Sequence, residues 1–112
     1  MGGGHVDNTI FPMYVAMARD QFIHEIVEYD RPYGIPVVHL ELDYFQELQA
    51  GDAISATVQL SEVGTTSFRT VTTLQRDSED VAEALTVQVV TEPDSGEPVE
   101  IPSHWQRAFE SV

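Results

Sequence analysis

Apolar residues recur along this chain at two different periods. Phe11, Val15, Ala18, Phe22 and Ile26 follow one another at steps of four, three, four and four, which puts them on one face of a 3.6-residue spiral. Arg19, Asp20, Gln21, His24, Glu25 and Glu28 fall on the other side. The pattern predicts an amphipathic helix that runs on from Gly4-His5-Val6-Asp7-Asn8-Thr9-Ile10-Phe11 to about Val27. Such a helix needs a sheet or a partner against its apolar stripe. Asn8 or Thr9 can cap it, and Pro12 is tolerated in a first turn whose N–H groups lack intrahelical partners. The glycines and the cap deliver free N–H groups to the positive end of the helix, a general place to hold an anion or a developing oxyanion.

After the helix the period changes to two. Glu28 to Pro36 holds two prolines and reads as a loop. From Val37 to about Leu48, Val38, Leu40, Leu42 and Tyr44 alternate with Val37, His39, Glu41 and Asp43, a half-buried strand. Ala50-Gly51-Asp52 is a turn. From Ala53 to Val63, Ile54, Ala56, Val58 and Leu60 alternate with Ser55, Thr57, Gln59 and Ser61. Thr65 to Arg76 sets Phe68, Thr70, Thr72 and Leu74 against Ser67, Arg69, Val71 and Thr73, with a polar content that implies partial exposure. Asp77 to Asp80 is an acidic hairpin turn. Val81 to Thr91 carries Leu85, Val87 and Val89 on one side, and Val87-Gln88-Val89-Val90 reads as central. Pro93 to Gly96 turns, and Ser103 caps a short helix from about His104 to Glu110. Short connections imply antiparallel neighbours, so the fold is α+β, an antiparallel sheet wrapped around one long central helix. A sheet of this size leaves an edge that a dimer can pair.

The chain has 112 residues, one domain spanning 1–112. It lacks cysteine, which excludes disulfides and thiol nucleophiles. No stretch resembles a leader peptide or a membrane span, and the chain reads as soluble and cytoplasmic. Charge changes the picture more: 19 acidic residues face five basic ones, for a formal net charge of −14, and every basic residue is arginine. Nucleic acid and anionic membrane would be repelled. So acidic a compact chain repels itself unless counterions screen it, which points to a halophilic, haloarchaeal cytoplasm; the alternative is an ordinary acidic protein whose lack of lysine is incidental.

Gly4-His5-Val6-Asp7-Asn8, Tyr14, Ala18-Arg19, Leu42-Asp43-Tyr44, Gly51-Asp52, Val63-Gly64-Thr65-Thr66-Ser67-Phe68 and Ile101-Pro102, in this order, resemble the hotdog-fold acyl-CoA thioesterases of the 4-hydroxybenzoyl-CoA thioesterase type. The resemblance runs from Gly4 to about Arg107. It implies a homodimer, often paired into a homotetramer, with sites at the subunit interface. It implies hydrolysis of an acyl-CoA thioester to free acid and coenzyme A, with no metal and no cofactor beyond the coenzyme A of the substrate. The family also carries a strand ahead of the glycine motif and a catalytic aspartate three residues before its glycine, where this sequence has Met1. The expectation is therefore a native chain that begins upstream, or else a natural short form. The first is favoured because losing a strand removes much of a domain's ~5–15 kcal/mol margin.

Thioester hydrolysis needs a base and oxyanion donors. By the resemblance, the backbone N–H of Asn8 polarises the thioester carbonyl. Asp7 stands where the family usually has asparagine; it is either a substitute general base or a helix-capping carboxylate. His5 is either a base or a residue that orients the loop. Thr65, Thr66 and Ser67 follow a glycine bend where the family places hydroxyls near the acyl-thioester and pantetheine, although β-propensity alone also explains threonine there. Tyr14 and neighbouring helix residues bear on pocket depth. The phosphates of coenzyme A require cationic or amide receptors, with Arg69 the best placed and Arg31 and Arg76 next. Glu41 and Asp43 are helper carboxylates or a solvated face. His24, His39 and His104 show no metal-ligand spacing. The alternative function is a non-catalytic hotdog module that binds acyl-CoA or serves only in assembly. A dehydratase or hydratase is weaker, for want of an Asp and His pair at the needed spacing.

Overall fold

The computed structural model describes residues 10–27, 33–48 and 51–112. Among them the chain forms helix α1 (Ile10–Val27), strands β1 (Val37–Tyr44), β2 (Ser55–Val63), β3 (Ser67–Arg76) and β4 (Glu79–Val89), and helix α2 (Ser103–Glu110). The strands make one antiparallel sheet in the order β1-β4-β3-β2. Both helices pack on one side of it, giving the α+β hotdog architecture. No described helix is long and apolar enough to cross a membrane.

The period-2 segments become strands with their ends moved by a few residues. β1 stops at Tyr44 rather than near Leu48, because the N–H groups of Phe45 and Gln46 both donate to the Val81 carbonyl and turn the chain away. β3 and β4 meet in a tight hairpin at Asp77 and Ser78, which both take positive φ (52° and 68°), the geometry of a two-residue primed turn. β1 and β2 follow one another in sequence but lie at opposite edges of the sheet. α2 begins one residue before the expected His104, and Ser103 lies inside it: the cap position belongs to Pro102 with no side-chain cap, and its carbonyl accepts from Trp105 and Gln106.

The buried sides differ from the sequence expectation in three places. On α1 the stripe against the sheet is Phe11, Val15, Arg19, Ile23 and Val27, all buried, while Ala18, Phe22 and Ile26 are only half-buried. The helix is thus rotated so that Arg19, assigned by pattern to the solvent side, faces inward. On β3 and β4 the helix-facing rows are Phe68, Thr70, Thr72 and Leu74 with Gln88, Thr86, Ala84 and Ala82 opposite them. All eight are buried, the threonines completely, so the polar content of β3 marks interior and not exposure. The apolar side of β1 is the reverse case: Leu42 packs against the buried residues around Phe11 and the Tyr44 ring meets Phe11 edge-on at 4.8 Å, yet Val38, Leu40 and Tyr44 keep much of their surface exposed at the edge of the sheet.

The apolar interior forms two clusters. Phe11, Val15, Leu48, Leu74, Val81, Ala82 and Ala84 pack beneath the first half of α1. Ile23, Val27, Phe68, Val90, Ile101, Trp105 and Phe109 pack beneath its second half and α2. Tyr33 stacks edge-on against Trp105 at 5.7 Å and Phe68 lies 5.2 Å from Phe109. Burial on this scale, at about 25 cal/mol per Å² of apolar surface, is what fixes α2 to the sheet.

Candidate active site

The bend between β2 and β3 is built by Gly64, whose N–H donates to the Ser67 carbonyl at 2.7 Å. The bend is then tied down from both sides: the Thr66 carbonyl accepts from Val90 and the Thr65 carbonyl from Ile101, each at 2.9 Å. These bonds consume the backbone of the Thr65-Thr66-Ser67 run and leave its hydroxyl groups at or near the surface. Thr65 lines a cleft of about 510 Å³ with Val63, Gly64, Glu100, Gln106 and Phe109. Ser67 and Arg69 line a smaller one of about 140 Å³ on the other side of Gly64. Thr66 lines neither.

Arg69 lies on the side of the sheet away from the helices, opposite Val87, and pairs with Glu62 at 3.3 Å, both side chains well exposed. A phosphate reaching Arg69 must compete with that carboxylate. Arg76 is committed elsewhere. Its guanidinium donates to the Glu47 carbonyl, to Asp52 at 3.1 Å and to Gln46 at 2.6 Å, so it serves as a clamp on the connection between β1 and β2. Arg31, His5, Asp7 and Asn8 lie outside the described residues. Tyr14 sits apart from the threonine bend, in a cleft of about 400 Å³ between α1 and β2 lined also by Met17, Ala18, Gln21, Asp52, Ile54, Ala56 and Leu74. The structure therefore brings Ser67 and Arg69 together, keeps Thr65 next to them across Gly64, and places Tyr14 in a separate groove. Among carboxylates weighed as helpers, Glu41 accepts from His39 at 2.9 Å on the exposed edge strand, and Asp43 lies opposite Glu83.

Arg19 is the residue that pattern reasoning passed over. It is only 9% exposed, and burial lowers its pKa from the usual value against the opposing pull of Asp20. Its Nε has no hydrogen-bond partner among the described residues, nor do the buried hydroxyls of Thr70, Thr72 and Thr86. The signal that points to it is the row of threonines at core positions of β3 and β4, because a polar row in an apolar interior needs a polar partner.

Comparison with known proteins places this geometry. A model of the thioesterase-like superfamily matches residues 3–109. The chain belongs to that superfamily. Its fold is shared with a thioesterase of Thermus thermophilus whose structure holds coenzyme A and Zn, at a TM-score of 0.83 and 26% identity over 95% of this chain and 84% of that one. A predicted thioesterase of Bacillus stearothermophilus superposes at a TM-score of 0.88 and 20% identity, covering 99% and 85% of the two chains. A hypothetical protein of Staphylococcus aureus in complex with CoA does so at 0.89 and 10% identity, covering 96% and 72%. A comparison with curated proteins returns no match. Within these structures the helix-on-sheet frame is common ground.

Proposed function

We propose that the protein is an acyl-CoA thioesterase that hydrolyses an acyl-CoA thioester to a free acid and coenzyme A. The observation that carries this reading is the match to the thioesterase-like superfamily along residues 3–109, supported by the likeness to a thioesterase that binds coenzyme A. In the proposed mechanism the thioester carbonyl sits at the N-terminal end of α1, where the backbone N–H of Asn8 and the helix dipole stabilise the oxyanion. Asp7 or His5 takes a proton from water as its oxygen bonds to the carbonyl carbon. The tetrahedral intermediate then expels the thiolate with cleavage of the C–S bond, and the proton passes to sulfur to give coenzyme A. Thr65, Thr66 and Ser67 offer hydroxyls along the pantetheine path, and Arg69 a phosphate contact. The resemblance of the sequence motifs to the family, together with the position of α1 directly after the glycine motif, favours these assignments.

Self-association as a homodimer or tetramer completes the reading. The support is the edge of β1, whose Val38, Leu40 and Tyr44, with the adjoining Phe45, leave apolar surface exposed on a strand that, among the described residues, pairs on one side only. Such an edge invites a second strand. A cytoplasmic setting of high salt accords with the −14 charge.

The test is release of coenzyme A thiol from short, long and aromatic acyl-CoAs in molar potassium chloride, for the protein and its Asp7→Asn variant. Turnover abolished in the variant assigns the base to Asp7, and turnover that persists moves it to His5 or another group. A folded protein that binds acyl-CoA in calorimetry and turns over none of the substrates is the non-catalytic module instead.

A further inference from the structure

Two of the clefts make one groove. The cleft of about 400 Å³ beside Tyr14 and one of about 310 Å³ beside Phe22 share Ala18, Gln21 and Ala56. On the helix the groove runs from Tyr14 to Glu25, about 16 Å at the helical rise. On β2 it follows Ile54, Ala56 and Val58, alternate residues and therefore one face of the strand. Ala56 stands opposite Leu74 and Val58 opposite Thr72, so that face is the one turned toward the helix. α1 does not close over it: Met17 and Ala56 are exposed, and Tyr14, Phe22, Ile54 and Val58 are half-buried. The small side chains of Ala18 and Ala56 leave a gap that larger ones would fill.

The two ends of the groove differ from its apolar floor. Asp52 stands at the Tyr14 end, its carboxylate paired with Arg76 at 3.1 Å. Glu25 stands at the other end, exposed, and accepts from Gln21 at 3.1 Å. Among the described residues no arginine lines either cleft. The groove therefore suits an uncharged apolar chain and disfavours an anion. Its Tyr14 end lies one turn, about 6 Å, along α1 from Ile10, the helix end at which the proposed function puts the thioester. Of the two halves of an acyl-CoA, the polyanionic coenzyme A is turned away by these carboxylates, and the acyl chain is the half that matches the floor.

We propose that the groove between α1 and β2 holds the acyl chain, which enters past Tyr14. The inference rests on the thioesterase reading and names its substrate class: acyl-CoAs with straight, uncharged chains of medium length. Ala18 and Ala56 set the width of the groove. Glu25 at the far end discriminates against a chain whose free end bears a carboxylate.

The experiment has a binding arm and a kinetic arm. In the first, calorimetry with butanol, hexanol and octanol is expected to show affinity rising about 2- to 4-fold per added methylene. Ala56→Trp, which fills the groove from an exposed position, is expected to flatten that series. Thr57→Trp, on the next residue and so on the other side of the sheet, is expected to keep it. In the kinetic arm, kcat/KM of the wild type is expected to favour octanoyl-CoA over suberyl-CoA by about 10-fold or more, and Glu25→Gln to narrow that ratio. Ala56→Trp is expected to lower kcat/KM for octanoyl-CoA about 10-fold relative to butanoyl-CoA. A flat alcohol series in the wild type overturns the inference with no variant needed, and so does equal use of suberyl-CoA and octanoyl-CoA. So does an Ala56→Trp protein that behaves like Thr57→Trp, or one whose main change is in sedimentation, which would make the groove a contact between subunits. Failure of every acyl-CoA to turn over would remove the thioesterase reading, and the alcohol series would still decide the groove.

Discussion

Arg76 near the end of β3 and Asp52 ahead of β2 form an ion pair of 3.1 Å in which the two side chains are only 22% and 24% exposed. The same guanidinium holds Gln46 and the Glu47 carbonyl. One side chain thereby fastens the connection that carries the chain from one edge of the sheet to the other.

Replacing Arg76 with methionine removes these bonds and leaves the Asp52 carboxylate partly desolvated. Hydrogen bonds to charged groups contribute about 1.5–3 kcal/mol, so a loss of about that size is expected in urea unfolding at fixed protein concentration. Glu62→Gln, which breaks the exposed pair with Arg69, is expected to cost less than about 1 kcal/mol. Equal effects of the two changes would refute the clamp.

Gly34 lies against Thr91. The two exchange backbone hydrogen bonds at 3.1 and 2.8 Å, and a Cβ on Gly34 would collide with the Thr91 hydroxyl. Thr91 is buried and its branched side chain is stiff at χ1, so Gly34→Ala is expected to destabilise by about 1–3 kcal/mol. Adding Thr91→Ala should recover part of that loss. A double variant less stable than the sum of the two single changes would contradict the steric account.

Much of this fold was legible in the sequence, because the change from a 3.6 to a 2 period is a direct imprint of helix and strand. Which flank of a helix meets the sheet is less so. The sets Phe11, Val15, Ala18, Phe22, Ile26 and Phe11, Val15, Arg19, Ile23, Val27 share their first two members and differ by a small rotation. A charged residue is assigned to solvent on general grounds, and that decided between them wrongly. The strand alternation of β1 was likewise real, but periodicity does not say whether an element lies over the apolar side. The resemblance of the glycine motif pointed to the superfamily, whereas the chemistry assigned to His5, Asp7 and Asn8 falls outside the described residues.

The anchoring of α2 can be measured through Trp105, the single tryptophan. It is fully buried, and Phe109 nearly so. Phe109→Ala deletes the contact with Phe68 and is expected to cost about 3–5 kcal/mol. Trp105 emission should shift to the red in the same unfolding transition that circular dichroism follows. A Trp105 signal that changes well before the sheet melts would mean that α2 detaches on its own and contributes little to the common core.

Charge acts on this fold at a definable place. Asp43 of β1 and Glu83 of β4 stand directly opposite each other, and like charges in that relation destabilise a strand pair. Glu41 lies on the same strand and the same side as Asp43, with His39 its hydrogen-bonding neighbour. Potassium chloride shortens the screening length from about 10 Å at 0.1 M to about 3 Å at 1 M, so the melting temperature of the wild type should climb over that range. Asp43→Asn removes one half of the opposed pair. At low salt it is expected to stabilise the protein by about 0.2–1 kcal/mol, and the gain should fade in molar salt, where the repulsion it relieves is already screened. Sulfate would strengthen apolar burial in both proteins alike, so chloride is the salt that separates the two causes. A gain from Asp43→Asn that is the same at every chloride concentration would mean that the substitution acts through packing or propensity, and that the acidic edge is not what salt stabilises.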